Sequence, residues 1–137
     1  MTTLTTTAPT TPATLQARVN DLVEYIRAGR ILEAMQEFYA DDVRMQENNK
    51  PPTDGLEANY AREEQFVNYV KRWTSLDVDA VAVDAARGKT LVQVRFSFDA
   101  VDGTTQHYDQ IAVQTWRNGK VVHERFIYDT ATLAVAA

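Results

Sequence analysis

The sequence predicts an α+β domain in which N-terminal helices cover one face of an antiparallel sheet. Three observations carry this. Apolar residues recur at helical spacing as far as about Trp73, the period changes to two from Leu76 onward, and turn signals divide that second half into four long strands. Helices first and strands afterwards oppose a doubly wound parallel sheet, which would interleave them.

Residues 1–14 are almost wholly Thr, Ala and Pro. They lack the basic and continuous apolar regions of a secretory signal, so a flexible tail is expected before a domain spanning 15–137. Leu15, Val19, Leu22, Val23 and Ile26 define the first helix, with Gly29 placed for a left-handed C-terminal cap. Leu32, Met35, Phe38 and Tyr39 form a second, short amphipathic helix. Asp41-Asp42 ends it, and Val43 to Glu47 is expected as a strand. Pro51, Pro52 and Gly55 make 48–55 a loop. Thr53 or Asp54 is then placed to cap a third helix reaching about Trp73. Its apolar stripe of Leu56, Tyr60, Val67, Val70 and Trp73 is interrupted by Glu63. Gly88-Lys89, Asp102-Gly103 and Asn118-Gly119 mark the hairpin turns.

A chain of 137 residues that is 45% hydrophobic has room for one core and one domain. Its net charge of -5 opposes non-specific nucleic-acid binding, which depends on Lys and Arg neutralising phosphates. The absence of cysteine excludes disulfides and thiolate chemistry and suits a reducing cytoplasm, the expected location. No apolar run approaches the roughly 18 residues of a membrane span, so no membrane partner is expected. No phosphate loop, nucleotide fingerprint or serine-hydrolase elbow occurs, and His107 and His123 lack clustered partners. Neither a cofactor nor a metal is expected.

If each turn is a two-residue loop, pairing follows by arithmetic and opposed residues share a face. Val113 then meets Glu124, Ile111 meets Phe126, and Asp109 meets Tyr128. Val92, Val94, Phe96 and Phe98 oppose Val113, Ile111, Asp109 and His107, while Val83 and Val81 oppose Val94 and Phe96. All these residues fall on one apolar inner wall, which the helices must cover. A bulge at Gly119 would shift the last register by one; against it stands the alignment of Arg125 with Ile111. The opposite face, with Gln110, Ala112, Gln114, Trp116, Arg125 and Ile127, is too apolar for solvent alone. A two-fold homodimer is expected there.

Glu124, set among Val113, Ile111 and Phe126, is the leading candidate catalytic group, because desolvation raises a carboxyl toward the range of neutral proton transfer. The alternative is a structural Glu hydrogen-bonded to another strand or to Glu47. Glu47 points inward if Met45 does and could share a proton with Glu124 or hold a substrate hydroxyl; a loop-facing surface position is the other reading. Asp109 with Tyr128 is either an acid and hydroxyl donor pair or a bond that holds the sheet.

The order helix, helix, Phe38-Tyr39-Ala40-Asp41-Asp42-Val43, Pro/Gly loop, helix and four strands, closing on 116–129 (Trp-Arg-Asn-Gly-Lys-Val-Val-His-Glu-Arg-Phe-Ile-Tyr-Asp), resembles the SnoaL-like branch of the NTF2-like superfamily. The resemblance implies a cone-shaped fold on a curved sheet, an internal pocket for a small hydrophobic molecule, and frequent dimers through the outer sheet face. Its members include polyketide cyclases, ketosteroid isomerases, epoxide hydrolases, dehydratases and non-catalytic binding domains, so it implies no single reaction. Met45-Gln46-Glu47-Asn48 with Pro51, Pro52 and Gly55 is similar to the first-strand segment of the limonene epoxide hydrolase branch. Met45 and Glu47 stand where that branch has Tyr and Asn, and Phe126 stands at its acidic position. Two functions are therefore expected as alternatives: cofactor-independent acid/base catalysis of isomerase, cyclase or hydrolase type on a carbonyl or epoxide, or non-catalytic binding as a dimeric module.

Overall fold

The computed structural model describes residues 12–130 and 134–136. Helix α1 (Pro12–Arg27) starts within the stretch expected as tail, the rest of which, residues 1–11, lies outside the described residues. A Schellman motif closes α1: Gly29 at φ 74° donates to the Ile26 carbonyl, and Arg30 donates to that of Tyr25. Helix α2 (Ile31–Phe38) follows at once and buries Ala34, Met35 and Phe38. Phe38 packs edge-on against Tyr25 at 5.3 Å, which locks the two helices together.

Tyr39 already belongs to strand β1 (Tyr39–Glu47), four residues earlier than expected. After a two-residue strand β2 (Thr53–Asp54), helix α3 (Leu56–Tyr69) begins at Gly55 with no side-chain cap. The expected caps are engaged elsewhere: Asp54 accepts from Arg44 at 2.6 Å, and the Thr53 hydroxyl accepts from Arg62 at 2.6 Å. Trp73 is not in α3 but in β3 (Val70–Asp84), opposite Phe98. Strands β4 (Lys89–Ala100), β5 (Thr104–Arg117) and β6 (Lys120–Tyr128) complete the main sheet, and β7 (Ala134–Ala136) pairs with β5.

The sheet runs β2-β1-β6-β5-β4-β3. It is antiparallel, as expected, apart from β1, which lies parallel to β6 with Met45 beside Glu124 and Glu47 beside Phe126. The α2–β1 link brings the chain back to the sheet before β6 exists, so this pair is closed by a long crossover rather than a hairpin. Bulges in β1, β3 and β6 curl the sheet around the helices. The core lies in that concavity, where Val19, Phe38, Val43, Val92, Phe98 and Val121 are almost wholly buried.

Two of the three expected registers change the face map. Val101-Asp102-Gly103 is a three-residue loop, with Gly103 at φ 89° donating to the Ala100 carbonyl, so Val92 meets Ala112 and Phe96 meets Tyr108. Every β5 side chain therefore reverses: Tyr108, Gln110, Ala112, Gln114 and Trp116 face inward, and His107, Asp109, Ile111 and Val113 face outward. Asn118-Gly119 is the expected two-residue turn, with both residues at positive φ. A bulge at Val122 then advances β6 by one, pairing Gln114 with Glu124, Ala112 with Phe126 and Gln110 with Tyr128. The two shifts cancel for β6, which keeps Glu124, Phe126 and Tyr128 inside. The first hairpin has a four-residue loop, an even shift that leaves Val81 and Val83 on the inner face.

Asn59, buried on α3, binds the Pro-rich loop to the helix by donating to the Thr53 carbonyl at 2.9 Å and the Gly55 carbonyl at 2.8 Å. Replacing it with alanine removes the side-chain donor of the Thr53 carbonyl, while the Gly55 carbonyl keeps the residue-59 backbone N–H, and a stability loss of about 1–3 kcal/mol is expected in urea denaturation. A neutral Asn59→Ala variant would show that water satisfies the loop instead.

Candidate active site

Two adjoining chambers lie between the helices and the inner sheet face. The outer one, of ≈ 340 Å³, has polar walls, including Glu47, Arg62, Gln110 and Tyr128. The inner one, of ≈ 100 Å³, is walled mainly by apolar side chains such as Leu22, Ile31, Leu76 and Val94. Met45, Glu63, Phe66 and Phe126 border both chambers.

Glu124 lies on the inner chamber and is only 2% exposed. Both its oxygens accept hydrogen bonds, Oε1 from the Tyr39 hydroxyl at 2.5 Å and Oε2 from Gln114 Nε2 at 2.7 Å. The orientation of that amide is fixed by a buried chain. The indole N–H of Trp116, which can only donate, gives its proton to Thr90 Oγ1 at 2.8 Å. The Thr90 hydroxyl proton then goes to Gln114 Oε1 at 2.7 Å, leaving the Gln114 NH₂ to face Glu124. Oε2 is therefore held as an acceptor, and Oε1 is the oxygen that can carry a proton, once the Tyr39 hydroxyl turns from donor to acceptor. Burial pushes Glu124 up to about 7, against the opposing pull of the Tyr39 and Gln114 hydrogen bonds. The same burial, with the Glu124 charge beside it, drives the Tyr39 phenol well above its ordinary value.

Glu63, on α3, is the second carboxyl of the inner chamber. Among the described residues it has no hydrogen-bond partner. Burial first, then the charges of Glu124 and Glu47, raise it to about 7, and nearby Arg62 only partly offsets them. A carboxyl without a fixed partner, at the boundary of a polar and an apolar chamber, is suited to exchange a proton with whatever occupies the space.

Glu47 and Tyr128 meet in the outer chamber. The Tyr128 hydroxyl donates to Glu47 Oε1, and Arg62 Nη2 donates to Oε2 at 3.2 Å. Burial and the adjacent Glu47 raise the Tyr128 phenol. Of the sequence-derived candidates, Glu124, Glu47 and Tyr128 thus line adjoining chambers. Asp109 does not, since the three-residue turn puts it outside, across from Arg95, and Tyr128 bonds to Glu47 instead. His107 is likewise outside, its Nδ1 2.6 Å from Ser97 Oγ. Glu63, Tyr39 and Gln114 were not singled out as site residues. Glu63 is visible in the sequence as the charged interruption of the α3 stripe; Gln114, expected on the outer face, is turned inward by the β4–β5 register. Among the described residues no three His, Asp or Glu side chains are grouped to hold a metal ion, and no helix is long and apolar enough to cross a membrane.

Thr90→Val tests the relay. With Oε1 of Gln114 freed, the amide can turn its oxygen toward Glu124, so the Glu124 titration midpoint is expected to rise, read by carbon-13 NMR of the carboxyl. An unchanged midpoint would show that the amide holds its orientation without Thr90.

Solved structures that this chain resembles share its fold. A candidate SnoaL-like polyketide cyclase from Mesorhizobium loti has a TM-score of 0.71 at 21% identity, over 82% of this chain and 97% of that one. An NTF2-like protein of unknown function from Burkholderia pseudomallei has a TM-score of 0.71 at 18% identity, over 86% and 92%. An LEH-like epoxide hydrolase from M. tuberculosis has a TM-score of 0.68 at 9% identity, over 88% and 86%. No curated protein matches the chain. The SnoaL-like domain matches residues 19–124, from the middle of α1 through the buried glutamate of β6, and the chain belongs to that family.

Proposed function

We propose that the chain binds a small, largely apolar molecule across the two chambers and moves a proton on it without a cofactor, with Glu63 and Glu124 as the acid/base pair. The observation that carries this reading is a pair of carboxyls, both raised to about 7, on the wall of one mainly apolar chamber. Glu124 is held in place by its donors, while Glu63 is open to a ligand. Glu47 and Tyr128 would orient the part of the molecule that lies in the outer chamber. Cyclase, isomerase and epoxide hydrolase chemistry all require such transfers at a carbonyl or epoxide carbon or oxygen. The test is turnover of a panel of small carbonyl and epoxide compounds, with and without an amino group, by wild type, Glu63→Gln and Glu124→Gln. Turnover lost in Glu63→Gln, with binding of the compounds that lack an amino group kept, supports the reading. Binding without turnover by any of the three favours the second reading, a non-catalytic binding module. That alternative draws support from the full satisfaction of both Glu124 oxygens by Tyr39 and Gln114.

We propose further that the outer sheet face pairs two copies of the chain. The earlier expectation centred this surface on Trp116, which is buried inside, as are Ala112 and Gln114. Support now comes from Ile111 (37% exposed), Ile127 (43%) and Leu91 (38%), joined through Ile111–Ile127 and Leu91–Val113 cross-strand pairs. Ile111→Asp with Ile127→Lys is expected to shift sedimentation from dimer to monomer at tens of micromolar. A monomeric wild type would overturn the proposal.

A further inference from the structure

We infer that the inner chamber selects a protonated amine, with its ammonium against the Glu63 and Glu124 wall and a compact apolar body toward Leu22, Ile31 and Leu76. This rests on the reading that the chambers hold a small molecule, and it assigns the chemical class of that molecule.

The first support is charge. Among the described residues, the ionisable side chains lining the inner chamber are acids and one tyrosine, Glu63, Glu124 and Tyr39, with no Lys, Arg or His. Arg62, whose charge acts on Glu63, borders the outer chamber instead. There it is committed to the Thr53 hydroxyl at 2.6 Å and to Glu47 at 3.2 Å. An anionic ligand in the inner chamber would meet two carboxyls and no compensating charge, whereas a cation relieves their mutual repulsion.

The second support is the direction of the hydrogen bonds. The Trp116–Thr90–Gln114 chain and the Tyr39 hydroxyl all deliver donors to Glu124, which favours its anionic form, while among the described residues no donor is supplied to Glu63. An ammonium brings the missing donors and the missing charge together. The third support is the aromatic walling. Phe66, Trp73, Phe96 and Phe126 line the same chamber, and an aromatic face turned toward a desolvated cation attracts it. A neutral alcohol could use the donor-poor carboxyl, but it would gain nothing from the rings or the acid pair.

The pH dependence has a fixed sign. The groups acting on Glu63 are Glu124 from β6, Glu47 from β1 and Arg62 from its own helix, and Tyr39 of β1 also feels its charge. Raising the pH through about 7 ionises both Glu63 and Glu124 while an alkylamine stays protonated, so amine binding strengthens with pH.

The experiment compares n-butylamine, n-butanol and butyrate by calorimetry on the full chain at pH 6 and pH 8. At pH 8 the amine is expected to bind about tenfold or more tightly than the alcohol, as a charge-assisted contact requires, with butyrate undetected. Amine affinity should fall several-fold at pH 6, and Glu63→Gln should remove the preference for the amine over the alcohol. In the unaltered chain, saturating amine should lower the Glu63 titration midpoint by carbon-13 NMR, a readout that does not depend on the variant folding. An alcohol that equals or exceeds the amine at pH 8 overturns the amine assignment and leaves the chamber as a neutral-ligand site. If none of the three probes binds, the assignment falls together with the small-molecule reading beneath it.

Discussion

Truncation of Phe98 to alanine is expected to remove about 3–5 kcal/mol of folding stability. Phe98 is fully buried at the centre of an aromatic cluster, 5.5 Å from Phe66, 5.6 Å from Trp73 and 6.1 Å from Tyr69 by ring centroids. These partners come from α3 and β3, so the lost ring leaves a gap that neither element can close without dragging the other out of register. Phe66 also forms the boundary of both chambers. Probe binding should therefore weaken along with stability. Guanidinium denaturation measures the first effect, and Phe98→Leu, which refills most of the volume, should recover over half of it. A loss below about 1 kcal/mol would mean that the aromatic cluster is not the centre of the core.

The second large effect is a stability that declines from mild acid toward mild alkali. Glu124 is held in the fold at about 7, above the roughly 4.3 of an unfolded chain. A carboxyl raised on folding contributes stability that is fully present below the unfolded value and is lost as pH rises through the folded one. At about 1.4 kcal/mol per pH unit, Glu124 accounts for a decline on the order of 3 kcal/mol between pH 5 and pH 8. Glu63 acts with the same sign. The arginine-paired acids Glu33, Asp54, Asp79 and Asp99 are lowered on folding and act with the opposite sign only below about pH 4, while His123, lowered by burial, offsets part of the decline within the window. Urea midpoints taken across the range give the slope. Glu124→Gln, which keeps an acceptor for Gln114 and a polar group for Tyr39, should remove the Glu124 share of it, leaving that of Glu63, and equal or exceed wild type at pH 8. A wild type equally stable at pH 5 and pH 8 would be incompatible with a buried, raised Glu124.

The alternation of Val92, Val94, Phe96 and Phe98, the Gly29 cap and the Asn118-Gly119 turn are local features, and the sequence by itself determined them: helical and strand periods and φ-positive turns depend on residues within a few positions of one another. The inward placement of Glu124 and Tyr128 was also legible, though only because two one-residue shifts cancelled. Parity is what tertiary structure decided. Asp102-Gly103 reads equally well as a two-residue or the end of a three-residue loop, and the choice reverses every side chain of β5, sending Asp109 out and bringing Gln114 and Trp116 in. The Val122 bulge has no local marker; it is selected because it lets Val121 fill the core while Glu124 still meets Gln114. The partners of the carboxyls were beyond the sequence for the same reason. Tyr39 reaches Glu124, 85 positions away, and Tyr128 reaches Glu47, 81 positions away, only once β1 lies parallel to β6 and the curled sheet closes over α3. Glu63 was visible as a break in an apolar stripe. Its chemistry comes from the cavity around it, because desolvation and like charges from other strands arise only when the chain is folded.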